Sequence, residues 1–385
     1  MPLRQAIKGF IDIDAFHVAS GDDTVDIAER RVERINIRGN TRTRDYVIRR
    51  EFDLGEGDAY NRVLIDKAEK RLNNLGYFKK VKISNEPGSS PDRVVVNVDV
   101  EDQPTGSFGV SGGYSTIDGF VAELSVSESN FLGKGQDLRF STQISANQDD
   151  RSFRLSFTDP YAWDTLWSVG GSLSYEKSNV PGSYLEFRRG TQLNLGHPIG
   201  EYTRLWFGYR LEEIQLLRAV DPYYQDPENL HFESGTISSV SVTMANDKRN
   251  DRLVTTGGHY LSVSEELAGL GGNRKFFRTI GDARIYRKIW GDLTWRAKLE
   301  LGNITSLYPD GQIQSSEKFR LGGPNNLRGY AAYQVAPTRA WKDGRVFVDG
   351  GRNELITMWE LEYPIASEIG LKALIFYDAG DAFNE

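Results

Sequence analysis

The sequence has no cysteine, which excludes disulfides, thiolate metal sites and cysteine nucleophiles and leaves the redox compartment open. Its four histidines (His17, His197, His231, His259) are scattered and form no metal-ligand spacing. No Ser/His/Asp set, GxSxG or carboxylate dyad appears in a pocket-forming context. The glycine-rich GLGGN at 269–273 lacks the strand–glycine–helix context of a phosphate loop. These absences predict a protein that is not an enzyme, with no catalytic residue, metal or cofactor. Positive charge is also short. Lys and Arg total 47 against 54 Asp and Glu, a net charge of -7, which argues against a nucleic-acid partner. Long apolar runs are missing too, and none approaches the roughly 18 residues of a membrane helix. That excludes helices only, because a membrane β-strand buries alternate residues and leaves a weak hydropathy signal. The opening MPLRQAIKGFIDIDAFHVAS lacks the apolar core of a signal peptide. If the protein is exported, the chain is expected to be a fragment or to lack its true start.

What is abundant is glycine (39 residues) and aromatic side chains (11%), the composition of strands and tight turns. Residues 1–29 read as a linker or the remnant of a preceding domain. Residues 30–103 read as a small mixed domain of order β-α-α-β-β. RVERINIRG alternates Val32, Ile35 and Ile37 with charge. Asn40 and Thr41 are placed to cap a helix through TRDYVIRREF. A second helix puts Val63, Leu64, Ala68, Leu72 and Leu75 on one face, with Asn61 as N-cap and Gly76 as C-cap. KKVKISNE and DRVVVNVDVED then alternate as strands around a PGSSP turn.

From residue 104 to 385 the pattern is strand after strand, about thirteen of them. LTWRAKLELG is the clearest. Leu293, Trp295, Ala297, Leu299 and Leu301 share one face, and Thr294, Arg296, Lys298 and Glu300 the other. A period of two over ten residues puts one face in an apolar medium and the other in water. Connections such as STIDG, NQDD and WGD are tight, whereas 217–232 and roughly 303–350 are long. Short turns on one side and long loops on the other are the asymmetry of an outer-membrane barrel. Tyr114, Tyr161, Trp163 and Trp290 fall near strand ends, where an aromatic girdle would sit. The longest connection holds FRLGGPNNLRGY, a Gly/Asn/Pro cluster around Arg328, and a loop of that length generally has a function.

Several of these stretches, in this order and spacing, resemble the BamA family of outer-membrane protein assembly factors, which join POTRA domains to a bacterial surface antigen β-barrel. RVERINIRGNTRTRDYVIRREF, AEKRLNNLGYFKKVKIS and VVVNVDVEDQPTGSFGVSGGYS are similar to its last POTRA domain and first barrel strand. NFLGKGQ, FTDPY, LGGPNNLRGY, WELEYP and FYDAGDAF follow. The resemblance covers about residues 30–385. It implies a POTRA domain followed by an antiparallel transmembrane barrel, 16-stranded in the family, of which about 13 strands are present and the final strands are missing here. It implies insertion of unfolded outer-membrane protein clients at a lateral seam, contact with outer-membrane lipids, and help from periplasmic assembly lipoproteins. Leu327, Arg328, Gly329 and Tyr330 would form the loop-six motif. Arg328 would pair in the lumen with Glu362 and Asp378, with Glu360 as the fallback. Gly106, Phe108, Gly109, Gly112, Gly113 and Tyr114 would line the first-strand seam, and Glu51 would dock a lipoprotein. A POTRA-barrel translocation pore (two-partner secretion or TamA-like) and, less well, a passive porin are the competing readings.

Overall fold

The computed structural model describes residues 30–115, 119–146, 151–180, 184–219, 221–252, 254–324, 326–341 and 344–384. The linker expected at 1–29 and the turn residues 116–118 and 147–150 lie outside them. Two compact units divide the chain.

The first unit contains β1 (Arg31–Arg38), α1 (Asp45–Arg49), α2 (Arg62–Asn74), β2 (Phe78–Pro87) and β3 (Arg93–Asp102). β3 is central, parallel to β1 and antiparallel to β2. Asn61 caps α2, its Oδ1 accepting from the amides of Val63 at 2.9 Å and Leu64 at 3.4 Å. Gly76 follows the helix at φ 71°, a conformation that costs glycine little. Val63, expected on the core face, is 61% exposed. It lies about 200° around the helix from Ile65, which packs inward in its place with Ala68 and Leu72. The first helix also differs from expectation. Asn40 and Thr41 do not cap it. The hydroxyls of Thr41 and Thr43 and the amide of Arg42 donate to the Asp102 carboxylate at 3.3, 2.7 and 2.7 Å. Residues 40–44 are thereby held as a turn on β3, and α1 starts only at Asp45. Val32, Val47, Ile48, Leu72, Val96 and Val98 close the core, each fully buried. Burying a side chain of this size stabilises by about 1.5–3 kcal/mol.

The second sheet has thirteen strands: β4 (Gly106–Ser115), β5 (Gly119–Glu128), β6 (Asp137–Ser145), β7 (Arg151–Asp159), β8 (Ser168–Val180), β9 (Tyr184–Pro198), β10 (Thr203–Ala219), β11 (Gly235–Asp247), β12 (Gly258–Ala268), β13 (Phe276–Trp290) and β14 (Leu293–Ser306), then β17 (Asn353–Ala366) and β18 (Leu371–Phe383). A helix, α3 (Pro227–Glu233), interrupts the β10–β11 connection, and a small hairpin of β15 (Thr338–Ala340) and β16 (Val346–Val348) lies between β14 and β17. Each large-sheet strand pairs with its sequence neighbour, and the sheet is open, with β4 at one edge and β18 at the other. The faces are inverted relative to a soluble core. Leu299, Leu301, Leu355 and Trp359 are exposed on one side, while Lys298 pairs with Glu300 at 2.8 Å on the other. Connections alternate between the two ends of the strands. The long ones at 220–234 and 307–352 therefore leave from the same end.

Candidate functional site in the 307–352 connection

The LGGPNNLRGY segment folds onto the polar face of β17 and β18. Leu321 and Leu327 are buried against Ile356 and Ala382. The Gly323–Leu327 bridge closes the segment on itself, and bridges at Leu321–Val335 and Phe319–Gly351 tie it and its flank to the rest of the connection. Gly322 has φ 111°, and a side chain there would meet the Ala331 carbonyl, so this turn requires glycine. The result aims Arg328 at three groups. Its Nε and Nη2 donate to the two oxygens of Asp378 at 2.6 Å each, and its backbone amide donates to Asp378 Oδ2 at 3.1 Å. Its Nη1 donates to Glu360 Oε1 at 2.6 Å. The guanidinium lies 3.8 Å from the Phe376 ring centroid. Planar two-pronged pairing plus ring stacking is what a guanidinium does and an ammonium does not. The hydrogen bonds it donates to Asp378 raise the Arg328 pKa further, so the residue is always charged.

Glu362 is not a partner of Arg328, and Glu360 takes that place. Register explains it. Asp378 is opposite Met358, Phe376 opposite Glu360, and Leu374 opposite Glu362. A guanidinium locked onto Asp378 reaches a carboxylate one step along the ladder, not two. Glu362 instead accepts from Arg296 at 2.8 Å and Lys372 at 3.0 Å. Of the remaining motif residues, Gly329 supplies a positive φ of 89° and Tyr330 stands 59% exposed.

Gly106, Phe108, Gly109, Gly112, Gly113 and Tyr114, expected to line a seam, lie on β4, at the sheet edge farthest in strand order from Asp378 on β18. Phe108 and Tyr114 are each 69% exposed. Glu51 is a correction. α1 ends at Arg49, and Glu51 turns inward one residue past the C-cap, 5% exposed and 3.8 Å from Arg50. Burial pushes its carboxyl up, against the pull of Arg50 and Arg71. It is not presented to a docking partner.

A second fixing point went unnoticed in the sequence. Glu317, in a 3-10 turn at Ser315–Glu317, has a side chain 2% exposed among four arginines. Arg278 lies at 2.6 Å, Arg274 at 3.0 Å, Arg188 at 3.7 Å and Arg210 at 4.0 Å. Burial alone would push the Glu317 carboxyl up, but Arg278, Arg188, Arg274 and Arg210 outweigh it and hold it at about 2. Beside it, Glu233 of α3 accepts from the Ser315 amide at 2.8 Å, and Arg274 donates to the Glu233 carbonyl. The two long connections are thus locked together. The only signal in SEKFR was one acidic residue in a loop next to a strand-rich sequence with many arginines.

A family model described as Omp85 superfamily domain matches residues 130–385, and one described as Surface antigen variable number repeat matches residues 30–103. The chain belongs to the Omp85 superfamily. The outer membrane protein assembly factor BamA of Neorickettsia risticii is 27% identical over 380 residues, covering 97% of this chain and 49% of that protein. The crystal structure of BamA from Haemophilus ducreyi lacking POTRA domains 1–3 superimposes with a TM-score of 0.76 at 22% identity, over 92% of this chain and 72% of that one. CdiB from Escherichia coli shares the fold at a TM-score of 0.61 and 18% identity, over 92% of this chain and 66% of its own. The chain spans about half the length of the curated relatives it matches.

Proposed function

We propose that this chain is the POTRA-and-barrel part of an outer-membrane protein insertase, with the sheet in the cell outer membrane and the POTRA domain in the periplasm. The reading is supported by Omp85 membership and by the similarity to BamA assembly factors. The observation that carries it is β4, a glycine-rich strand at the sheet edge that leaves directly from the POTRA unit. Its edge amides and carbonyls are a template for an incoming strand, and its glycines weaken its own pairing. Clients are unfolded outer-membrane proteins, whose strands add by backbone hydrogen bonding, so the step needs no bond chemistry and no cofactor. Lipids contact the exposed apolar face. Periplasmic assembly lipoproteins approach from the POTRA side, at a surface other than Glu51. Arg328 holds the long connection on the polar face during this exchange.

The test is Tyr114→Pro in the full-length protein reconstituted in lipid vesicles, with insertion of an unfolded client followed by protease protection. The Ser129–Thr105 and Ala146–Phe120 backbone bonds turn the odd-numbered β4 residues toward β5 and leave the Tyr114 amide facing the edge, so proline there removes one edge donor. Insertion should fall sharply while the protein's own heat-modifiable mobility stays normal. Undiminished insertion by a folded variant would end the templating reading.

A further inference from the structure

The NFLGKG stretch at 130–135 plays no part in the Arg328 site, yet its turn is held by side-chain and backbone hydrogen bonds. It joins β5 to β6 and belongs to the same compact unit as the POTRA domain. Asn130 is 7% exposed. Its Nδ2 donates to Thr43 Oγ1 at 2.9 Å, and Thr43 in turn donates to Asp102 Oδ1 at 2.7 Å. The Asn130 Oδ1 accepts from the Gly135 amide at 2.7 Å, and the Gly133 carbonyl accepts from the Arg44 amide at 2.8 Å. Thr43, 2% exposed, uses its one donor and one of its two acceptor positions in this relay. Both motif glycines are required by close approach. Gly133 has φ 73° with the Arg42 carbonyl where a side chain would begin, and Gly135 has φ 65° against the Arg50 guanidinium.

The route from the POTRA domain into β4 is just as firmly held. Only residues 103–105 separate β3 from β4. Gln103 donates from its amide to Tyr77 and from its side chain to Gly76, each at 2.9 Å. Thr105 bonds through its hydroxyl to Glu128 at the end of β5, and its carbonyl accepts from the Ser129 amide at 3.3 Å. The starts of β4 and β6 and the end of β5 therefore all emerge from one hydrogen-bonded joint.

We propose that the 128–137 turn is a docking element built into the POTRA domain, and that the Asp102–Thr43–Asn130 relay is a positioning device that sets where the edge strand β4 begins. The proposal rests on the insertase reading, since it assigns the joint a part in presenting that strand to clients.

Thr43→Val keeps the side-chain shape and deletes the hydroxyl, and Thr43→Ser keeps the hydroxyl. In the full-length protein in lipid vesicles, Thr43→Val should speed amide exchange at Arg44 and Gly135 by about tenfold, the scale of one or two lost hydrogen bonds. It should also slow client insertion several-fold. Thr43→Ser should do neither. Asn130→Ala breaks the relay from its other side and must produce the same pair of effects. Faster exchange with insertion unchanged would overturn the positioning role, and unchanged exchange in both variants would overturn the relay itself. A wild-type protein that inserts no client would instead remove the insertase reading and the positioning role with it, leaving the exchange result to report on the joint alone.

Discussion

The 307–352 connection is fastened at two points that are built in different ways. At its root, Glu317 closes a network in which Glu186, Glu212, Glu266 and Glu317 face Arg188, Arg210, Arg274 and Arg278. At its tip, one arginine is held by two carboxylates and a ring. Removing the central carboxylate of the first takes away the one charge that four guanidinium groups share, among them the fully buried Arg274. Opening the second releases a single side chain whose partners can be rehydrated. A long loop can be both permanent and releasable when its buried charge network sits at the root and its smaller clasp at the tip.

The sharpest way to break this contrast is Glu317→Gln. Losing one partner of a buried ionic network typically costs about 3–5 kcal/mol. Residues 307–352 should become protease-sensitive in the folded protein while the strands stay protected. A connection that remains uncut would show that the network is not what fixes the root. A smaller effect separates the two carboxylates near the tip. Glu360→Gln should raise amide exchange at Arg328, whose N–H is bonded to Asp378, by about tenfold or less. Glu362→Gln should leave it unchanged. Equal effects from both would mean that Arg328 samples both partners.

A third contrast within the molecule is one of pH. Burial pushes the Glu233 carboxyl up to about 7, against the pull of Arg274, in the same cluster where Glu317 is held at about 2. For Glu233 the folded-state value lies above the ordinary one. Its contribution is therefore complete below the ordinary glutamate range and is lost as pH rises through about 7. Glu317, depressed instead, contributes in full above the ordinary glutamate range and loses that contribution as pH falls toward about 2. The root should thus be more resistant to protease at pH 5 than at pH 8, and Glu233→Gln should flatten that slope. A wild-type profile that is already flat would show that Glu233 stays charged throughout.

Much of this architecture was legible because its signals are local. Period-two alternation through LTWRAKLELG gives both the strand and its two faces, and Asn61 and Gly76 mark the ends of α2 by their own chemistry. Arg328 and Asp378 were also legible, as a motif arginine and a carboxylate on the right face. The choice between Glu360 and Glu362 was not, because both satisfy the same alternation and only the β17–β18 register separates them. Thr41 looked like a helix cap because its true partner, Asp102, lies 61 positions away. Glu317 was invisible for the same reason, since Arg278 and Arg274 are 39 and 43 positions from it. Glu51 reads as a surface helix charge because TRDYVIRREF has helical character throughout, whereas α1 ends at Arg49.

The two fastening points also differ in their place along the chain. Every arginine around Glu317 precedes it in sequence, on β9, β10, β13 and the turn before β13, whereas both carboxylates that bind Arg328 follow it. By these ion pairs the connection grips β9, β10 and β13 at one end and β17 and β18 at the other, and so acts as a brace across the polar face of the sheet.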